Sequence, residues 1–132
     1  MKGQGEDEPR SRQEQPWDLR ERTKALALRI IRMFTALPKS SVAQVIGNQV
    51  LRAGTSVGAH YREAVRARST AEFVSKCEGG LMELEETGYW LELLTEGGIL
   101  PSKRLAPLLR EVDELIAIFV TCIKNAKRRG KG

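Results

Sequence analysis

The hydrophobic residues of the chain fall in four stretches, each with the three- and four-residue spacing of an amphipathic α-helix. These stripes run over residues 19–37, 42–64, 73–94 and 105–126. The fourth stripe alternates steps of three and four without interruption, as a heptad repeat does. The pattern predicts four helices and no strand, and it predicts that the fourth helix is the most deeply buried.

Signals for helix starts and stops separate the four stretches. Polar residues that can cap a helix N-terminus precede each of them, namely Asp18 with Glu21, Ser41 with Gln44, Ser69 with Glu72, and Ser102 after Pro101. Pro38 ends the first helix, and the second extends to about Ala67. Gly97 and Gly98 end the third. Short loops between amphipathic helices favour an all-α, antiparallel up-down-up-down four-helix bundle.

The bundle is predicted to span residues 17–127, between two segments of different composition. Residues 1–16 contain no apolar residue except Met1, which predicts a disordered N-terminal arm. Residues 128–132 form a basic C-terminal tail. The sequence has neither an apolar run of membrane-span length nor the apolar core of a signal peptide. We therefore expect a cytoplasmic protein without membrane contact.

Two glycines inside the second helix predict a close helix contact. Gly54 and Gly58 are four residues apart and share a flank of the helix with Leu51 and Val65. Each glycine costs about 1 kcal/mol relative to alanine in a helix, so close approach of another backbone would offset the cost. We interpret this flank as a second packing surface, between subunits, with simple tolerance of the glycines as the alternative.

Charge is divided unevenly along the chain, whose net charge is +5. Residues 69–96 carry seven glutamates and one lysine, a charge of −6, so the rest of the chain sums to +11. One interpretation is that the acidic segment complements basic neighbours within the bundle or across a subunit contact. The other is that the basic remainder binds an anionic partner.

Clustered cations supply the candidate nucleic-acid-binding residues. Arg52, Arg62 and Arg66 fall on one exposed face of the second helix, with Arg68 in the adjoining turn. The C-terminal cations complete the set: Lys124, Lys127, Arg128 and Arg129. Such groups match phosphate by charge and, for arginine, by bidentate geometry. No aromatic platform for stacking bases accompanies them, so the pattern does not choose between RNA and DNA.

The sequence contains few residues that could carry chemistry. His60 is the one histidine, which excludes the Glu-x-x-His pairs of a di-iron bundle. No phosphate-binding glycine loop and no nucleophile elbow occur. We expect no enzyme activity, metal, cofactor or small-molecule substrate, and we interpret His60 as a hydrogen-bonded structural residue. Cys77 and Cys122 lie in apolar stripes and are expected to be reduced core residues, with a disulfide as the alternative.

Residues 49–85 carry a further pattern that amphipathicity does not require. Its members are Gln49, Arg52, Ala53, Ser56, Ala59, Glu63, Arg66 or Arg68, Ser69, Glu72, Phe73, Glu83, Leu84 and Glu85. In these positions the chain resembles the small bacterial four-helix-bundle family encoded in intervening sequences of large-subunit ribosomal RNA. Two positions depart from the family pattern, since His60 stands where asparagine is usual and Ala64 where glycine often follows the glutamate.

The resemblance implies an assembly and a class of partner. Members of this family are described as bundles that form homo-oligomeric rings, typically pentamers. The family is also similar in fold to the accessory variability protein of diversity-generating retroelements, which works with a reverse transcriptase and RNA. The resemblance therefore implies a homo-oligomer, RNA or DNA as a partner, and a reverse transcriptase as a further candidate partner.

Two functions fit these observations. The first is a non-enzymatic, oligomeric accessory protein that binds nucleic acid through its basic surfaces. The second is a protein-interaction scaffold, in which the basic and acidic surfaces meet in a homo-oligomeric ring and no nucleic acid is bound. Salt dependence of binding separates the two, because phosphate contacts release counterions.

Overall fold

The computed structural model describes residues 16–131 of the chain, and the regular structure in this range consists of four α-helices. They are α1 (Pro16–Thr35), α2 (Ser41–Val65), α3 (Thr70–Glu96) and α4 (Ser102–Lys131). The predicted all-α, four-helix class is therefore confirmed. Of the predicted N-terminal arm, residues 1–15 lie outside the described residues.

Consecutive helices pack against each other in antiparallel pairs. In each pair of helices, residues later in one helix contact residues earlier in the other. Between α1 and α2, Thr23 contacts Gly58 and Ile30 contacts Gly54. The corresponding contacts are Arg52 with Glu86 and Glu63 with Lys76 between α2 and α3, and Gly88 with Val112 and Thr70 with Gly130 between α3 and α4. α1 and α4 also contact each other, but their backbones approach less closely than those of the consecutive pairs. The contacts correspond to an up-down-up-down order.

The third helix begins at the capping box that the sequence predicts. Ser69 Oγ accepts a hydrogen bond from the backbone N–H of Glu72 at 3.1 Å, and the Glu72 carboxylate accepts one from the backbone N–H of Arg68 at 3.1 Å. At the other end of α3, Gly98 adopts a φ of 74°, which favours glycine at a helix stop. Both boundaries of α3 are thus fixed by short-range interactions.

Three other boundaries differ from the prediction. The cap of α2 is Ser40 rather than Ser41, because Ser40 has the extended backbone of a cap residue and its Oγ accepts from the N–H of Ala43 at 3.2 Å. Helix α1 begins at Pro16, before Asp18, as proline favours the first turn. The predicted tail is helical through Lys131, because α4 continues there without a breaker.

The second helix, rather than the fourth, has the largest buried share. Eight of the 25 residues of α2 are buried, against seven of the 30 residues of α4. Small residues such as Ala53 and Gly54 let α2 pack closely against α1 on one side and α3 on the other. Helix α4 packs closely against α3 alone, which leaves more of its surface exposed.

The glycine flank of α2 is covered by α1 of the same chain. A Cβ atom added at Gly54 would lie 2.8 Å from Ile30 Cγ1, and one added at Gly58 would lie 3.1 Å from Thr23 Oγ1. The predicted close approach of another helix to Gly54 and Gly58 is present. The prediction that these glycines contact another subunit is wrong, because α1 of the same chain occupies that space. Leu51 is partly buried against the core as well, whereas Val65 is exposed.

Candidate nucleic-acid interface

One end of the bundle collects most of the cations that the sequence singles out. The end of α2, the start of α3 and the end of α4 meet there, and we call this region the basic end. Its rigid part is the turn between α2 and α3, where the N–H of Arg66 donates to Glu63 O at 3.2 Å and the N–H of Ala67 donates to Ala64 O at 3.0 Å. The capping box at Ser69 holds the other side of this turn. Arg66 and Arg68 therefore project from a backbone with a defined geometry.

A cleft at the basic end brings together two cations that are distant in sequence. Its volume is about 340 Å³, and its lining comprises Ala67, Arg68, Ser69, Thr70, Phe73, Ala126 and Arg129. The end of α4 reaches this position because Gly130 packs on Thr70, where an added Cβ would lie 2.9 Å from Thr70 Cγ2. The cleft thus combines two guanidinium groups with the N-terminal end of helix α3, whose positive partial charge is opposed by the Glu72 carboxylate in its first turn.

Several basic-end cations have no carboxylate partner among residues 18–130. Arg62, Arg66, Arg68, Lys124 and Arg129 are all exposed, and none belongs to an ion pair within that range. A guanidinium or ammonium group that is not in an ion pair can donate to a phosphate oxygen without first breaking an internal pair. These five residues are the candidate contact set.

The remaining predicted cations are engaged within the chain. Arg52 lies about three turns before Arg62 on α2 and pairs with Glu86 at 2.6 Å and Glu83 at 3.4 Å. Lys127 pairs with Glu78 at 3.5 Å, and Arg128 donates to the Asn125 side chain at 2.6 Å. Arg52 is exposed, as are Arg62 and Arg66, but it differs from them because its guanidinium group pairs with carboxylates of α3.

The acidic segment has internal partners, as the first charge interpretation predicts. Glu83 and Glu86 pair with Arg52 of α2, and Glu78 pairs with Lys127 of α4. The interpretation that this segment complements basic neighbours within the bundle is confirmed for these three glutamates. The basic surface that remains without partners is therefore smaller than the sequence total suggests.

Sequence patterns did not identify a second group of arginines, Arg29, Arg32 and Arg104, which line a cleft between α1 and α4. These residues are far apart in sequence, and each alone is an ordinary surface arginine. The signal that could have pointed to them is the absence of any Asp or Glu over residues 22–62 and again over 97–110. Where these two acid-free segments meet in the fold, Arg29, Arg32 and Arg104 form no ion pair within residues 18–130.

His60 and the cysteines occupy structural positions. His60 lies between α2 and α3, with Nε2 at 3.7 Å from the Glu83 carboxylate and Nδ1 buried without a hydrogen-bond partner. The prediction that His60 is hydrogen-bonded is therefore wrong, because its ring makes only a longer contact with the Glu83 carboxylate. Burial, and secondarily the neighbouring Cys122, raises the pKa of the Cys77 thiol to about 12, so Cys77 stays protonated. No disulfide joins Cys77 to Cys122.

The described part of the chain contains no candidate metal centre and no candidate membrane span. No group of three His, Cys, Asp or Glu side chains in this part is arranged to hold a metal ion. None of the helices described there combines the length and the apolar character that a membrane span requires.

Comparison with known proteins gives a family for this fold. Residues 17–121 match the family model described as 23S rRNA-intervening sequence protein. The chain is also similar to a crystal structure from Bacteroides thetaiotaomicron VPI-5482, a protein of unknown function from the S23 ribosomal protein family. The TM-score is 0.78 and the identity 31%, over 83% of this chain and 97% of that one. No curated protein matches. Because the family match covers most of the chain, the chain belongs to the 23S rRNA-intervening sequence protein family.

Proposed function

We propose that the protein is a non-enzymatic accessory protein that binds nucleic acid at the basic end of the bundle. The observation that carries the proposal is the cleft where Arg68 and Arg129 meet the start of α3, together with Arg62, Arg66 and Lys124, which form no ion pair within residues 18–130. Phosphodiester groups fit this arrangement because guanidinium groups bind phosphate oxygens in a bidentate way.

RNA is the favoured nucleic acid. The family name refers to 23S rRNA, and the relative from Bacteroides thetaiotaomicron is described as part of a ribosomal protein family. The cleft also contains one aromatic residue, Phe73, which is partly buried against the core and offers little surface for base stacking. Binding should therefore depend on backbone phosphates and show weak sequence preference. A reverse transcriptase partner remains a prediction of the family resemblance.

The proposal predicts strongly salt-dependent binding. Five cations that form no ion pair among the described residues give a slope of about −3.5 for log affinity against log salt on single-stranded RNA, since each contact contributes about −0.7. Fluorescence anisotropy with a labelled RNA oligonucleotide, repeated with the matching DNA between low and physiological salt, measures this slope. A dissociation constant above about 1 mM at low salt, or a slope near zero, contradicts the proposal.

A second candidate function, a homo-oligomeric scaffold, is favoured by exposed apolar side chains on two outer faces. Leu28 and Ile31 of α1 are 44% and 41% exposed, and Met82 and Tyr89 of α3 are 62% and 54% exposed. α1 and α3 are not adjacent in the bundle, and acidic residues accompany only the α3 face. A contact between the α1 face of one copy and the α3 face of the next is head-to-tail, which generates a ring when the rotation closes.

The scaffold candidate predicts that Ile31→Glu and Met82→Lys each lower the molar mass in solution. Light scattering should give several times the 14.8 kDa of one chain for the unmodified protein and a lower mass for both variants, since each places a charge in an apolar contact. Thr121→Glu, on an exposed position of α4, is the matched control and should keep the full mass. A monomeric unmodified protein, or two variants that assemble normally, would rule out this contact.

A further inference from the structure

A second cleft lies at the seam between α1 and α4, towards the end of the bundle opposite to the basic end. Its volume is about 270 Å³, and its lining comprises Arg29, Arg32 and Met33 of α1 with Arg104, Leu105 and Leu108 of α4. The three apolar side chains are buried and form the floor. Arg32 and Arg104 are exposed and Arg29 is half-buried, and all three border the cleft. The cleft volume is several times the roughly 30 Å³ that one water molecule takes in the liquid.

The same seam shows how an arginine of α1 is neutralised when acids are present. Nearer the basic end, Arg22 donates from Nε and Nη2 to both carboxylate oxygens of Glu111, at 3.2 and 2.9 Å, and from Nη2 to Glu114 at 2.9 Å. The hydrogen bond with Glu111 is the leading cause of the raised pKa of Arg22. Arg22 thus has a bidentate anionic partner supplied by α4.

No such partner reaches the three arginines further along the seam. Within residues 18–130, no carboxylate forms an ion pair with Arg29, Arg32 or Arg104. Helix α4 has no acid in its first turn, and its first carboxylate belongs to Glu111. Three like charges around one cleft repel each other. An anion that enters the cleft would relieve this repulsion.

We infer that Arg29, Arg32 and Arg104 form a binding site for a phosphate group that carries two or more negative charges. The fork geometry of the guanidinium group suits the oxygens of a terminal phosphate or a pyrophosphate, in the manner in which Glu111 binds Arg22. The site is separate from the basic end and does not depend on the function proposed there. Its ligand is either a free phosphorylated molecule or the terminal phosphate of a nucleic acid.

Isothermal titration with inorganic pyrophosphate at low ionic strength tests the site. The full chain should carry Arg68→Gln and Arg129→Gln, so that the cleft at the basic end does not contribute. In this background pyrophosphate should bind with a dissociation constant below about 1 mM. Adding Arg32→Gln or Arg104→Gln should weaken binding about tenfold each, as expected for the loss of one charge-assisted hydrogen bond.

Arg110→Gln is the matched control, since Arg110 is an exposed α4 arginine that does not line the cleft. It should leave pyrophosphate affinity unchanged, and circular dichroism melting should show that all variants fold. Absence of pyrophosphate binding in the background protein, or equal weakening by Arg104→Gln and Arg110→Gln, would overturn the inference.

A second titration distinguishes the sources of the phosphate. If a 5′-phosphorylated oligonucleotide binds more tightly than its 5′-hydroxyl counterpart, and Arg104→Gln abolishes this preference, the ligand is the terminal phosphate of a nucleic acid. If the two oligonucleotides bind with equal affinity while pyrophosphate still binds, the ligand is a free phosphorylated molecule.

Discussion

Phe119→Ala is expected to lower the free energy of unfolding by about 3–5 kcal/mol, the range typical of removing a buried aromatic ring. Phe119 is 1% exposed, and its ring meets the edge of Tyr61 of α2 at a centroid distance of 5.9 Å. On α3 it fills the space above Gly80, where an added Cβ would lie 2.7 Å from Phe119 Cε2. The ring therefore joins three helices, and alanine would leave a cavity between them.

Urea denaturation followed by circular dichroism measures this loss. Ile118→Ala is the matched control, because Ile118 is the preceding residue and only partly buried. Its loss should be about 1 kcal/mol, within the range common to partly exposed sites. Equal losses for the two variants would show that Phe119 does not hold the packing of α2, α3 and α4 together.

The elements of this fold were predictable where short-range interactions determine them. The spacing of apolar residues along each helix depends on the helical period alone, so four stripes correctly predicted four helices. The start of α3 was predictable because the interactions are local: Ser69 Oγ accepts from the N–H of Glu72, and the Glu72 carboxylate accepts from the N–H of Arg68. The α2 cap was misplaced by one residue because Ser40 and Ser41 are chemically equivalent in sequence, and only the extended backbone of Ser40 distinguishes them.

Features that depend on contacts between helices were less accessible from sequence. The spacing of Gly54 and Gly58 correctly indicated a close approach, but the identity of the approaching helix depends on how α1 packs. Arg52 and Arg62 are both exposed on α2, and the sequence alone does not show that Arg52 pairs with Glu86, 34 residues away. The buried share of α2 likewise follows from having two close neighbours rather than from its own apolar content.

Reversing three charges at the basic end is expected to weaken RNA binding about a hundredfold or more at low salt. The change is Arg66→Glu, Arg68→Glu and Arg129→Glu, which removes cations that have no partner among the described residues and places three repulsive charges at the proposed phosphate positions. Each lost contact should also reduce the steepness of the salt dependence by about 0.7 on single-stranded RNA. The helices should stay folded, because all three side chains are exposed.

The measurement that tests the basic end as the nucleic-acid interface compares this variant with one of equal net charge. The control carries Lys39→Glu, Lys103→Glu and Arg110→Glu, three exposed cations at or towards the opposite end of the bundle. Anisotropy titrations of both variants with the same RNA at the same salt should show the hundredfold loss for the basic-end variant and a loss of less than about tenfold for the control. Equal losses would mean that net charge alone governs binding, and would contradict an interface located at the basic end.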